Sequence, residues 1–220
     1  MKDIPPLKNI SLFSRVKSLL SIKPSAKEIY QREYATKIIE VNKDQMLRHL
    51  YRINQDSSNW HKGLGVIDSN SEYAIRQQSF EAVYKGIERE HQHSLLSTLP
   101  STSGHRYFVC TIQNNMPVGI MVFLPGTSEY SYGKPDYIDY LLTHPGIKSI
   151  GSLLVEKAVE SLTNDELRVN AKHSSTPFYT ELGFTRSGGS NNNTVSMVLV
   201  PKESEKWEMV NNVYRLKKYI

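Results

Sequence analysis

The chain has 220 residues, of which 39% are hydrophobic and 22% charged. This balance is typical of a soluble globular protein, because disordered chains have less apolar content and more net charge. The apolar runs are all shorter than the ~20 residues that a membrane span needs. The 27 basic and 22 acidic residues leave a net charge of +5, which favours anionic partners without selecting one. The length predicts one domain with added ends.

The first 36 residues are predicted to form a basic N-terminal extension. Between Ile4 and Lys27 there is no acidic residue, and apolar side chains recur at helical spacing, at Ile10, Phe13, Val16 and Leu20. Three interpretations stay open: a helix that is docked on the fold or frayed, a peripheral contact with a membrane surface, or an address for organelle import or for delivery into a target cell by a secretion system. Without such an address, the expected location is the cytoplasm.

The first half of the domain is predicted to contain two helices and three strands. Asn42 or Asp44 is expected to cap the first helix, and Cys110, the single cysteine, is expected to be a core thiol. Periodicity and turn residues give a strand over 35–41, helices over 43–54 and 78–96 separated by a loop over 56–70, and strands over 107–112 and 118–124.

The second half is predicted to alternate strands and helices. The elements are a strand over 136–143, a helix from Ile150 to Leu162, a strand over 167–170, a helix over 175–182, and closing strands over 184–186 and 194–200. This order indicates a mixed α/β fold. A helix that follows a strand presents unpaired N–H groups, so residues 147–152 form a candidate phosphate site.

Two stretches resemble a known family. Residues 137–145, Tyr-Ile-Asp-Tyr-Leu-Leu-Thr-His-Pro, and 150–158, Ile-Gly-Ser-Leu-Leu-Val-Glu-Lys-Ala, resemble the acetyl-coenzyme A motif of the GCN5-related N-acetyltransferases (GNAT). Residues 176–184, Thr-Pro-Phe-Tyr-Thr-Glu-Leu-Gly-Phe, resemble the second signature of that family. The resemblance covers residues 37–201, and residues 202–220 are left as a C-terminal tail.

The resemblance implies a mostly antiparallel sheet with a splayed central strand pair and flanking helices. It also implies acetyl-CoA as cosubstrate. The pantetheine arm would pair with the strand end at Leu141, Leu142 and Thr143, and an amide near Leu142 would stabilise the oxyanion. The pyrophosphate would lie in the loop formed by Ile147, Lys148, Ser149, Ile150, Gly151 and Ser152.

The phosphate loop departs from the family pattern at two positions. Aligned on Gly151, the chain has Gly146 where the family has Arg or Gln, and Ser149 where it has Gly. Serine still offers its backbone N–H, and Lys148 is positioned to supply the missing positive charge.

Two residues are candidate catalytic groups. Tyr179 matches the general acid of the family, with a packed core aromatic as the alternative. Strand alternation places Tyr137, Asp139 and Leu141 on one face, which makes Asp139 the candidate base, with a surface or structural carboxylate as the alternative. An aspartate ordinarily titrates near pH 4, so it would need a perturbing environment to act as a base.

Four histidines are assigned to other roles. His144 and His173 follow strand ends and are expected to be loop residues. His91 and His93, with Glu88 and Glu90, are interpreted as a solvated helix face, since residues two apart on a helix point in different directions. No metal site is predicted.

The predicted function is direct transfer of an acetyl group from acetyl-CoA to an amine. A protein, an aminoacyl-tRNA and a small amine are all compatible acceptors, and no oligomeric state is predicted. The alternative is a catalytically weak or inactive GNAT-fold binding module, such as a secreted effector or toxin.

Overall fold

A computed structural model describes residues 36–60, 72–93, 104–127, 134–190 and 193–219. The basic segment over residues 1–35 lies outside the described residues, as does most of the loop predicted over 56–70. None of the described helices is long and apolar enough to cross a membrane.

A seven-stranded sheet forms the centre of the fold. Its strand order is β1-β2-β3-β4-β5-β7-β6, and every neighbouring pair is antiparallel except the parallel pair β4–β5. The predicted mixed, mostly antiparallel sheet is therefore confirmed. The strands are β1 Lys37–Val41, β2 Arg106–Ile112, β3 Met116–Leu124, β4 Asp136–Thr143, β5 Leu167–Lys172, β6 Thr185–Ser190 and β7 Thr194–Leu199.

Two long helices cover one face of the sheet, namely α1 (Lys43–Trp60) and α2 (Glu72–His93). Asn42 caps α1: its Oδ1 accepts the Gln45 N–H at 2.9 Å, and Gln45 Oε1 accepts the Asn42 N–H at 3.1 Å. Helix α1 runs past the predicted end at residue 54. The buried Ser57 hydroxyl donates to the Asn54 carbonyl, so this serine is accommodated inside the helix.

Two shorter helices, α3 (Ile150–Glu160) and α4 (Thr176–Glu181), contribute to the core on the opposite face. Because alternate strand residues point to opposite faces, the sheet has two cores. Ile120 and Val122 pack under α1 and α2, while Met121 and Phe123 face the side of α3. Cys110 is fully buried in the latter core, as predicted, and burial raises the pKa of its thiol to about 12.

The last residues form a hairpin of β8 (Trp207–Val210) and β9 (Val213–Leu216). Trp207 and Leu216 are buried in the same core as α3. The hairpin is therefore an integral layer over α3. Tyr214 is partly buried against the same core, whereas Met209 stays exposed.

Candidate active site

An opening between β4 and β5 is the main irregularity of the sheet. The two strands pair only from Asp136↔Leu167 to Ile138↔Val169. Beyond that point β4 stays paired with β3 up to Thr143, and β5 stays paired with β7 up to Lys172. The facing edges of β4 and β5 therefore diverge beyond Ile138 and Val169, and their backbone groups line a gap. The predicted splayed pair is present.

The backbone direction of β4 identifies which amides face this gap. The His144 N–H donates to the Val118 carbonyl in β3 at 2.8 Å. Since N–H groups alternate between the two edges of a strand, the Leu142 N–H also faces β3, whereas those of Leu141 and Thr143 face the opening. This geometry favours Leu141 and Thr143 over Leu142 as backbone donors to a ligand in the gap.

A β-bulge at Asp139 changes the expected faces of β4. Phe123 pairs with Ile138 and Val122 with Tyr140, so Asp139 is the extra residue. Strand alternation therefore fails, and the expectation that Leu141 shares a face with Asp139 is wrong. Leu141 packs in the core of α3, whereas Asp139 lies on the side of α1 and α2.

Asp139 lies in a polar cluster between β4, α2 and the residue preceding β2. Its Oδ2 is 2.6 Å from His105 Nε2, and the Tyr140 hydroxyl donates to Glu90 Oε2 at 2.7 Å. One ligand atom each from Glu90, His105 and Asp139 lies within 4.8 Å of the others, a spacing that could hold a metal ion. The prediction of no metal stays a prediction.

His91 is fully buried, so its interpretation as part of a solvated face is wrong. Its ring contacts those of His105, Tyr107 and Tyr140 edge-on at centroid distances of 5.8, 5.5 and 6.5 Å. Burial lowers the pKa of His91 and keeps it neutral. The missed signal was its position four residues after Ile87, where it continues the apolar stripe of α2.

His105 lies outside every sequence motif and just before the strand predicted over 107–112, so the sequence did not identify it as a site residue. It precedes β2 by one residue, and alternation with Tyr107 and Val109 places it on the face that α2 covers. That alternation was readable from the sequence, but the contact with Asp139 is not, because it joins residues 34 positions apart.

The predicted phosphate loop begins where β4 ends. His144 lies in the loop after β4, as expected, and it is buried there. Its Nδ1 accepts the Gly146 N–H at 3.1 Å, and its Nε2 lies 3.4 Å from Asp56 Oδ2 in α1. His173 lies exposed in a 3-10 turn after β5, as expected. The buried His144 thus fixes the entry of the loop.

Ser149 has a left-handed backbone, with φ 71°, immediately before α3. Glycine adopts this conformation at little cost, and the family pattern has glycine here. Serine in place of glycine therefore adds a side chain but leaves the backbone N–H groups of the loop in place.

Positive charge gathers around the first turn of α3, which contains no acidic residue. Lys148 is exposed in the loop, and Lys218 Nζ donates to Ser152 Oγ at 3.2 Å. Arg76 of α2 donates to the Ile147 carbonyl at 2.9 Å. Cations and the N-terminal N–H groups of a helix together favour a bound phosphate.

Gly151 of α3 lies close to Phe178 of α4. A Cβ at this position would be 2.9 Å from Phe178 Cζ and 3.6 Å from Thr143 Cγ2. The predicted residues Thr143 and Gly151 are thus brought together beside the second signature, and the flanking Ile150 and Ser152 are buried.

Tyr179 is 6% exposed and lies between two aromatic rings. Its ring centroid is 5.0 Å from that of Phe178 and 5.2 Å from that of Phe184. Burial, with a smaller contribution from Tyr137, raises the pKa of Tyr179, so its hydroxyl is protonated at neutral pH. Such a group can act as a proton donor.

We expect Ser149→Gly to stabilise the protein by roughly 0.5–1 kcal/mol, because it removes the cost of a left-handed non-glycine residue. Urea unfolding measures the change. The matched control is Ser161→Gly at the other end of α3, where φ is −96°, and this substitution should not stabilise. Equal effects of the two substitutions would contradict the strain at Ser149.

Sequence comparison matches no family model and no curated protein. The solved structures similar in fold are mostly acetyltransferases of the GNAT kind. PH1933 from Pyrococcus horikoshii is 17% identical over 74% of this chain and 96% of its own, with a TM-score of 0.46. The histone acetyltransferase HPA2 and related acetyltransferase from Corynebacterium glutamicum is 12% identical, covering 74% and 95%, with a TM-score of 0.45. A GNAT-family acetyltransferase from Staphylococcus aureus is 13% identical, covering 74% and 98%, with a TM-score of 0.43.

The splayed β4–β5 pair followed by α3 is the feature that the family resemblance predicts. The described residues have the mixed, mostly antiparallel sheet, the splayed strand pair and the flanking helices that this resemblance implies. At these identities, the similarity to solved structures concerns the fold, and the activity must be argued from the site.

Proposed function

We propose that the protein transfers an acetyl group from acetyl-CoA to an amine. The observation that carries this proposal is the opening between β4 and β5, which leads to the N-terminus of α3 and its surrounding cations. An extended pantetheine chain can pair with strand edges in such a gap, while a pyrophosphate binds helix N–H groups.

The residues along the opening have complementary roles in the proposed reaction. The amides of Leu141 and Thr143 bind the pantetheine arm and the developing oxyanion. Asp139 takes one proton from the acceptor ammonium. The amine nitrogen then bonds to the thioester carbon and the carbon–sulfur bond breaks. Tyr179 protonates the departing thiolate and is reprotonated by the nitrogen of the intermediate.

Lys218 is expected to contribute to cofactor affinity through its position at Ser152. Lys218→Glu should weaken acetyl-CoA binding about tenfold or more, since a hydrogen bond to a charged group contributes roughly 1.5–3 kcal/mol. Lys217→Glu makes the same charge change at the neighbouring position. Both lysines are exposed, but Lys218 is the one whose side chain bonds to Ser152, so Lys217→Glu should have a smaller effect. Calorimetry with acetyl-CoA measures both. Equal losses in the two variants would assign the effect to net charge alone.

Three measurements test the proposed function. Calorimetry should show binding of acetyl-CoA, and its absence at millimolar ligand would overturn the proposal. Release of the CoA thiol is then followed with three acceptors: a lysine-containing peptide, spermidine and an aminoacyl-tRNA. Mass spectrometry should show one added acetyl group on the product.

The alternative is a GNAT-fold module that binds a ligand with little or no turnover. The serine at position 149 and the burial of Tyr179 favour this alternative, because both alter groups that the reaction uses. Binding of acetyl-CoA without thiol release for any acceptor in the panel would support it.

A further inference from the structure

The buried side chain of His105 contacts Asp139, and the proposed reaction does not use this histidine. The side chain of His105 is 6% exposed and that of Asp139 is 28% exposed, and their nearest atoms are 2.6 Å apart. A charge-assisted hydrogen bond of this length holds the carboxylate in one orientation. The more exposed carboxylate is the member of the pair that an acceptor can reach.

We propose that neutral His105 is a positioning residue that donates its Nε2–H to Asp139, and that protonation of His105 switches the site off. This inference rests on the proposed acetyl transfer. Neutral His105 leaves the pair with a charge of −1, which attracts an acceptor ammonium and can take its proton. Protonated His105 brings the charge of the pair to zero, so Asp139 binds the ammonium less well and is a weaker base.

The bulge in β4 makes this arrangement possible. A regular strand would place consecutive side chains on opposite faces. The extra residue instead lets Asp139 reach the face on which Tyr140 and His105 lie. Bulges recur next to active sites because they redirect a side chain in this way.

The groups around His105 come from every element packed against it. Helix α2 contributes Glu90 and the neutral His91, β4 contributes Asp139 and Tyr140, and β2 contributes Tyr107. Lys43 of α1 acts electrostatically on His91. The nearest charged groups are therefore carboxylates, whose negative charge favours an added proton on the imidazole.

The proton balance of the step is simple. The acceptor ammonium gives a proton to the outer oxygen of Asp139, while the His105 proton stays on Nε2. After the acetyl group has moved, Asp139 releases its proton to solvent. His105 thus acts only through Asp139, and its own protonation at low pH lowers the rate.

The test is the pH dependence of kcat/KM with acetyl-CoA and the fastest acceptor of the panel. Wild type should lose activity on acidification through the range in which imidazoles titrate in proteins. His105→Gln keeps an N–H donor but does not titrate, so its acid limb should lie at least about one pH unit lower, with activity at pH 8 largely retained. His105→Ala lacks the donor and should lose about 10- to 100-fold at pH 8.

Tyr107→Phe is the matched control, because it removes a polar group beside His91 without changing the pair. The acid limb of its pH profile should match that of wild type. An unchanged limb in His105→Gln would overturn the inference while leaving acetyl transfer established. Absence of thiol release by wild type at every pH would instead refute the proposed function.

A second measurement does not depend on turnover or on the folding of the His105 variants. NMR titration of the His105 imidazole should show a midpoint about one pH unit or more lower in Asp139→Asn than in wild type, because the carboxylate partner is removed. Equal midpoints would overturn the inference. So would loss of activity on chelation that Zn²⁺ restores, since Glu90, His105 and Asp139 would then be metal ligands.

Discussion

Replacing Tyr179 with phenylalanine should reduce kcat about 10²- to 10⁴-fold, the range expected for the loss of acid–base assistance. The ring remains, so its contacts with Phe178 and Phe184 should survive and the melting temperature should change little. Acetyl-CoA affinity should also stay close to that of wild type. Steady-state kinetics and calorimetry measure the two quantities separately.

The matched control for this prediction is Tyr84→Phe. It removes a hydroxyl on α2 that donates to Glu88 at 2.8 Å, and Tyr84 lies in the core on the other face of the sheet from Tyr179. Wild-type turnover in Tyr179→Phe would show that Tyr179 is a packed core aromatic. Equal losses in both variants would point to a general effect of removing buried hydroxyls.

The pH dependence that Tyr179 contributes follows from its environment. Burial raises the pKa of the hydroxyl above its ordinary value near 10. The donor form is therefore complete at neutral pH and persists as the pH rises through 9. If Tyr179 is the acid, its deprotonation should cause no fall in kcat between neutral pH and pH 9. Tyr179→Phe should then lower kcat at every pH without shifting the midpoints of the pH profile.

Much of the fold could be predicted from the sequence because its strands and helices carry strong apolar patterns. Met121 and Phe123 alternate with Ile120 and Val122, and the structure separates them into two cores. Boundaries were less predictable. Helix α1 continues past residue 54, where Ser57 is buried against the rest of the fold. Burial is a tertiary effect that local preference does not encode.

The candidate site could be predicted only in part. The Asn42 cap, the opening in the sheet and the loop before α3 follow from local patterns or from the family resemblance. The bulge at Asp139 does not, because strand alternation assumes a regular pleat. Nor do the contacts of His105 with Asp139 or Lys218 with Ser152, which join residues 34 and 66 positions apart.

The C-terminal hairpin carries the largest expected effect on stability. Trp207 is 4% exposed, its ring is buried in the core on the side of α3, and its Nε1–H donates to the Leu182 carbonyl at 2.7 Å. Trp207→Ala removes both the buried ring and that donor. We expect a loss of about 3–5 kcal/mol in the free energy of unfolding, which corresponds to a fall of about 10 °C in melting temperature for a domain of this size.

The loss should extend beyond the cavity that the tryptophan leaves, because the hairpin also covers a charged group. Glu156 of α3 is buried, and its Oε1 accepts the Leu216 N–H at 3.0 Å, while Arg215 lies 4.0 Å from its other oxygen. Detachment of the hairpin would remove both partners. Met209→Ala on the same hairpin is the control, since Met209 is 51% exposed and its truncation should change stability by no more than about 0.5 kcal/mol. Similar, small losses in both variants would show that the hairpin contributes little to the fold, and the tail would then be a separable appendage of the domain.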